Sequence, residues 1–155
     1  MTELQPLIIL LGQSERQRDA ALADQQRAQI ASDAAAAQAD QLRHYRRDYE
    51  QRWSAQFTRE GKMELVHCYQ SFVARLTQAV DQQSRAAEIA AKQLEHARGV
   101  VREAEMRCAS VRKLIERRLH EQRLSAERRD QKQTDEAATR AAWQRIGATR
   151  PAPLM

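Results

Sequence analysis

Four histidines, two cysteines and a scatter of carboxylates are the side chains of this sequence that could carry chemistry. Their spacing argues against each kind of site. A zinc site built on a helix needs ligands three or four residues apart. His44, His67, His96 and His120 stand singly, with no second histidine or cysteine at that spacing. Cys68 and Cys108 are far apart and lack metal-ligand spacing. Both fall in an apolar helical pattern, where a free thiol behaves as a small hydrophobe, so both are expected to be buried. Two cysteines cannot make a disulfide scaffold, which fits a reducing compartment. The sequence has no glycine-rich phosphate loop and no nucleophile elbow. Its carboxylates are spread along what read as solvated helix faces. The expectation is a non-enzyme, with no catalytic residue, cofactor or metal, that works through contact surfaces.

The elements that must present those surfaces follow from composition. The chain has 155 residues, 42% apolar and 30% charged but only 5% aromatic. Ala, Gln, Arg, Glu and Leu dominate, which is the composition of long helices. Pro6, Pro151 and Pro153 sit at the ends, and the only glycines are Gly12, Gly61, Gly99 and Gly147. A β-protein would need more turns and more β-branched strands. So few large apolar residues cannot fill a thick core, but they suffice for one stripe on each of two helices.

The second half carries the stronger pattern. Positions 66, 73, 80, 87, 94, 101, 108 and 115 read Val, Val, Val, Ala, Leu, Val, Cys and Ile. Positions 69, 76, 83, 90, 97, 104, 111 and 118 read Tyr, Leu, Gln, Ala, Ala, Ala, Val and Arg. Alternating steps of three and four sustained over this length predict one long coiled-coil helix. Gly99 lies off that seam and weakens the helix by ~1 kcal/mol without breaking it.

The first half is helical with a less regular stripe. Leu4, Leu7, Ile8 and Leu11 begin it, and Leu22, Ile30, Ala34, Ala37, Leu42, Tyr45, Tyr49 and Trp53 continue it at a period nearer 3.6 than 3.5 residues. The segment "TREGKME", 58–64, interrupts both patterns, and Gly61 is the reversal point because glycine tolerates the positive φ of a tight connection. Reversal there sets Ala31, Ala34 and Ala35 against Ala90, Ala87 and Ala86, a close approach of small residues. It sets Trp53 against Cys68 and Tyr69, Tyr45 against Leu76, and Leu7 and Ile8 against Leu114 and Ile115. The fold class is therefore all-α, a long antiparallel two-helix coiled-coil hairpin whose second helix is the longer. Helix one spans 3–57, the turn 58–63 and helix two 64–146. Residues 119–146 form an overhang without a partner in the monomer, marginal on its own in water. Residues 147–155 are expected to be a disordered tail. The whole chain, 1–155, is one coiled-coil domain.

Two surfaces remain for contact. Beside the seam runs a line at 65, 72, 79 and 86, reading Leu, Phe, Ala and Ala. Phe72, Leu76 and Ala79 thus form an apolar strip at i, i+4 and i+7. Phe72 either packs over Tyr49, its expected opposite, or offers an anchor to a partner. The second surface is the basic overhang, which as a plain solvated helix would carry pairs such as Glu136 with Arg140.

Three ordered motifs resemble the FliJ family, the small soluble coiled-coil component of the bacterial flagellar type III export apparatus. They are "HYRRDYEQRW" (44–53), "YQSFVARLTQAVDQQ" (69–83) and "RRDQKQTDEAATRAA" (128–142). The resemblance implies an antiparallel hairpin similar to the stalk of rotary ATPases. It implies binding to a FliI-like export ATPase, with the end formed by the chain termini entering the hexameric ring. It further implies binding to the cytoplasmic domain of an FlhA-like export gate protein and interaction with substrate chaperones. Carried over, the gate-binding face falls on Phe72, Leu76, Ala79 and Gln83, the last polar at a seam-like position. The ring-contact surface is assigned to Arg117, Arg118, Arg128, Arg129 and Lys132.

Alternatives differ in class. A sibling reading is the stalk protein of a virulence type III secretion system. A basic nucleic-acid or membrane-surface binder would need its arginines on one face, and the net charge of +5 from 26 basic and 21 acidic residues is interspersed. A third reading is a self-associating coiled coil with its seam satisfied between chains. The run "LIILL", 7–11, is too short for a signal peptide and no segment is long enough to span a membrane. A cytoplasmic protein, peripheral to the inner membrane at the flagellar base, is expected, with no nucleic acid among its partners.

Overall fold

A computed structural model of the chain describes residues 4–59 and 61–149. It consists of two helices, α1 (Gln5–Arg59) and α2 (Met63–Thr149), and α2 is the longer, with 87 residues against 55. The helices run antiparallel. Gln38 pairs with Gln83, while Gln29, earlier on α1, pairs with Arg98, later on α2. Compactness divides the chain into two units: Gln13–Cys108, and Met1–Gly12 with Ala109–Met155.

Within Gln13–Cys108 the α2 seam is the one its heptads predict. Leu76, Val80, Leu94, Val101, Ala104 and Cys108 are buried, Cys108 to 1% exposure. Val66, Tyr69, Val73, Gln83, Ala87, Ala90 and Ala97 between them are half-buried. The α1 seam follows the expected stripe only at Leu42, Tyr49 and Trp53. Its less exposed positions are Ser14, Arg18, Ala21, Gln25, Ala28, Ser32, Ala35, Ala39, Leu42, Arg46, Tyr49 and Trp53, flanked on one side by Glu15, Gln29, Arg43, Glu50 and Phe57. Steps of four and three alternate throughout, so α1 follows a strict heptad rather than a 3.6-residue stripe. Leu22, Ile30, Ala34, Ala37 and Tyr45 are exposed. In one buried cluster the small Ala21 of α1 closes on Val101 and Ala104 of α2, while larger α1 residues, Arg18, Gln25, Leu42, Arg46, Tyr49 and Trp53, hold other seam positions.

That register corrects the expected pairings. Ala31, Ala34 and Ala86 face outward, and Ala35, Ala87 and Ala90 occupy the seam. Trp53 does meet Tyr69, with ring centroids 5.8 Å apart, but Cys68 is exposed rather than buried. Tyr45 does not bury against Leu76; it is exposed and stacks on Tyr49 at 6.4 Å.

The reversal lies at Gly61 and Lys62, between the end of α1 and the start of α2. Gly61 does not use a positive φ, so its backbone conformation is open to other residues. Nothing lies within 4 Å of a Cβ built there, so the turn does not need glycine for space either. The Val66 N–H donates to the Lys62 carbonyl at 3.3 Å, opening α2. Arg59 in the last turn of α1 and Glu64 in the first of α2 each complement the local helix dipole. Residue 60, within the expected turn, lies outside the described residues.

In the unit Met1–Gly12 with Ala109–Met155, Val111 is buried, and Leu4, Leu7, Leu11 and Ile115 are half-buried. Ile8, Ile9 and Leu10 are exposed, as is Leu114. From residue 116 to 149 every residue is exposed except Ala141, which is half-buried. Residues 147–149, expected in a disordered tail, are the last turn of α2, because nothing before Pro151 breaks the helix. Residues 1–3 and the rest of the expected tail, 150–155, lie outside the described residues.

Candidate functional site: an aromatic edge and an exposed basic helix

The first surface lies near the turn. Tyr45, Tyr49, Trp53 and Phe57 follow one another at spacings of four along α1, and Tyr69 and Phe72 meet them from α2. Tyr49 is the hub. Its ring lies 4.4 Å from Phe72, 5.8 Å from Tyr69 and 5.8 Å from Trp53. Phe57 closes edge-on against Tyr69 at 5.1 Å. Offset and tilted pairs of this kind each add ~1 kcal/mol beyond their area. Burial among them, with Glu50 nearby, lifts the Tyr69 phenol above its ordinary pKa and keeps it neutral.

Phe72 packs over Tyr49, the first of its two sequence readings, and 38% of the residue remains exposed. Around it, Ala79 is half-buried, whereas Leu76 is 8% exposed and belongs to the seam. Gln83 is half-buried, and its amide donates to the Gln38 side-chain carbonyl at 3.0 Å, bridging the helices. The polar residue in an apolar seam is thus paired. Among the described residues no buried side-chain nitrogen or oxygen is left without a hydrogen bond. Tyr45, which sequence reasoning placed in the core, adds a 53% exposed ring beside Tyr49. The signal that could have found it was its offset of one residue from the heptad.

The second surface is the far part of α2. Arg117, Arg118, Arg128, Arg129 and Lys132 are all exposed. At ~100° per residue they fall within an arc of ~120°, so one face of the helix holds them all. Neighbouring acids temper that face. Arg128 and Lys132 line a shallow concavity with Asp135, Glu136 and Arg140, and Arg140 pairs with Glu136 at 3.8 Å, as the spacing predicted. Arg129 donates to the Ser125 hydroxyl at 3.4 Å. The concavity is formed by a single helix open to solvent, so it cannot desolvate a reacting group.

Two residues of this face were not singled out from sequence. Trp143 is 69% exposed and Ile146 is 59% exposed. They stand four heptads beyond Ile115 and Arg118, so the seam register continues through the basic stretch and regains large apolar side chains at its end. The repeat was legible; the polar residues between hid it.

Among the described residues no helix is long and apolar enough to cross a membrane. Nor do three His, Cys, Asp or Glu side chains converge there as a metal site. A family model described as "FliJ: Flagellar FliJ protein" matches residues 3–147. Neither a curated protein nor a solved structure shows significant similarity to the chain.

Proposed function

The chain belongs to the flagellar FliJ protein family, and from that premise we propose that it is a non-enzymatic coupling protein of flagellar export. It joins a FliI-like ATPase ring to the cytoplasmic domain of an FlhA-like gate protein and also engages substrate chaperones. It works in the cytoplasm, held at the inner membrane through the export apparatus rather than by a span of its own.

The observation that carries this reading is the run of exposed helix from 116 to 149, with Arg117, Arg118, Arg128, Arg129 and Lys132 on one face. A solvated helix of that length without a packing partner is marginal in water. A ring lumen lined by other subunits would supply the missing contacts. The Phe72 edge, with Ala79 and Gln83 beside it and Leu76 bracing it from the seam, supports gate binding at the other surface. It offers an aromatic anchor already fixed by Tyr49, so little side-chain entropy is lost on docking.

The test uses purified ATPase and purified gate cytoplasmic domain. Truncation after residue 118 should abolish ATPase stimulation and leave gate binding intact. Phe72→Glu should do the reverse, weakening gate binding about tenfold with helicity unchanged. Unchanged stimulation by the truncated chain would remove the ring assignment. Unchanged gate affinity of Phe72→Glu would remove the gate assignment.

A further inference from the structure

The bonds that cross between α1 and α2 tell the two flanks of the seam apart. One flank carries Arg43, which donates to the Ser84 hydroxyl at 2.9 Å, and Arg98, which donates to the Gln29 side-chain carbonyl at 3.1 Å. The other carries the Gln83–Gln38 bond and the contact of Phe72 with Tyr49. On this second flank Tyr45, Arg52 and Arg59 follow Gln38 along α1 at steps of seven, the repeat that keeps residues on one side of a helix pair. Arg75 stands three residues after Phe72 on α2, a spacing that makes neighbours on a helix surface. Phe72, Tyr45 and the three arginines are all exposed. Arg52 and Arg59 line one shallow concavity with Ala55 and Gln56.

These arginines are not held by carboxylates of the chain itself. Arg18, Arg27, Arg43, Arg98 and Arg140 each pair with an acid on their own helix. Arg52, Arg59 and Arg75 form no ion pair with a described residue. Asp48, one turn before Arg52, is the acid on this flank near Phe72. Glu50 stands seven residues after Arg43, in the row of the other flank. The exposed ring is therefore bordered by three cationic side chains against one anionic side chain.

A protein interface has a covered apolar centre and a polar rim. Charges on the rim contribute little contact energy, because water screens them, and act mainly on the rate of encounter and the choice of partner. A basic rim favours a partner whose pocket is bordered by carboxylates and turns away a basic one.

We infer that Arg52, Arg59 and Arg75 form the rim of the gate-binding surface around Phe72, and that the matching face of the gate domain is an apolar pocket bordered by Asp and Glu side chains. This rests on the gate reading above and names the chemistry that selects the partner. Phe72 supplies the anchor, and the arginines draw the acidic face to the correct flank of the seam.

The experiment measures association and dissociation rates of the full chain with purified gate cytoplasmic domain at low and at high salt, with the thermal midpoint alongside. Arg52→Glu and Arg75→Glu should each slow association about fivefold at low salt, and the effect should shrink as salt screens it. Arg52→Lys keeps the charge and should stay within about twofold of the unmodified chain. Arg85→Glu makes the same change of net charge at an exposed position midway between the seam residues Gln83 and Ala87, and should also stay within about twofold. All of these sites are exposed, so the thermal midpoint should hold. If Arg52→Glu and Arg75→Glu behave like Arg85→Glu while Phe72→Glu weakens binding, the rim is wrong and the gate reading stands. A loss of equal size at low and high salt would mark a packing role and also overturn the rim. If the unmodified chain does not bind the gate domain, both are wrong. If the two variants lose affinity for a single-stranded oligonucleotide and keep their association with the gate domain, the arginines serve nucleic acid and the inference is overturned.

Discussion

At the scale of single residues, the two cysteines separate what periodicity can and cannot tell. Both lie in apolar stretches of α2, yet Cys108 is on the seam at 1% exposure and Cys68 lies outside it. A one-residue offset beside Tyr69 makes the difference. A thiol reagent should therefore label Cys68 rapidly in the native protein and Cys108 only after unfolding. Two fast thiols would place Cys108 outside the core. Phe72 shows the same subtlety. Sequence reasoning set packing against recognition, and the side chain packs on Tyr49 while 38% of it stays exposed.

At the scale of the helices, the register of the α1 seam makes a sharp forecast. Ala39 is 1% exposed in the seam, whereas Ala37, two residues away, is exposed. Ala39→Leu should cost ~1–3 kcal/mol through overpacking, and Ala37→Leu should be nearly neutral. Denaturant titration of the two variants checks both, and equal effects would reject the register. The composition of the two seams explains how much was legible beforehand. The α2 seam announced itself because Val80, Leu94 and Val101 contrast with their polar neighbours. The α1 seam did not, because Ser14, Arg18, Gln25 and Ser32 look like surface residues, and the conspicuous Leu22 and Ile30 lie off the seam. The antiparallel pairing was still recovered, since it depends on where the chain reverses and not on which face of α1 is buried. Of the surfaces, the basic residues and Phe72 were found by type. Trp143 and Ile146 were not joined to them, because a polar interval hid the continuing heptad.

At the scale of the whole molecule, the chain spends nearly all its aromatic residues in one place. Every aromatic except Trp143 belongs to the cluster around Tyr49. These side chains sit on either side of the reversal, so their contacts close a short loop, and short loops cost the least entropy to close. Assembly should therefore start as a clasp at the bend and zip outward one layer at a time, with the alanine-floored middle following. Tyr49→Ala should slow refolding in proportion to the stability it removes, whereas Val101→Ala should mainly speed unfolding. For a chain emerging from a ribosome, the clasp becomes possible once Phe72 is free, while most of α2 has yet to be made. The nascent first helix can then acquire its partner layer by layer as synthesis proceeds, rather than waiting exposed for the last residue.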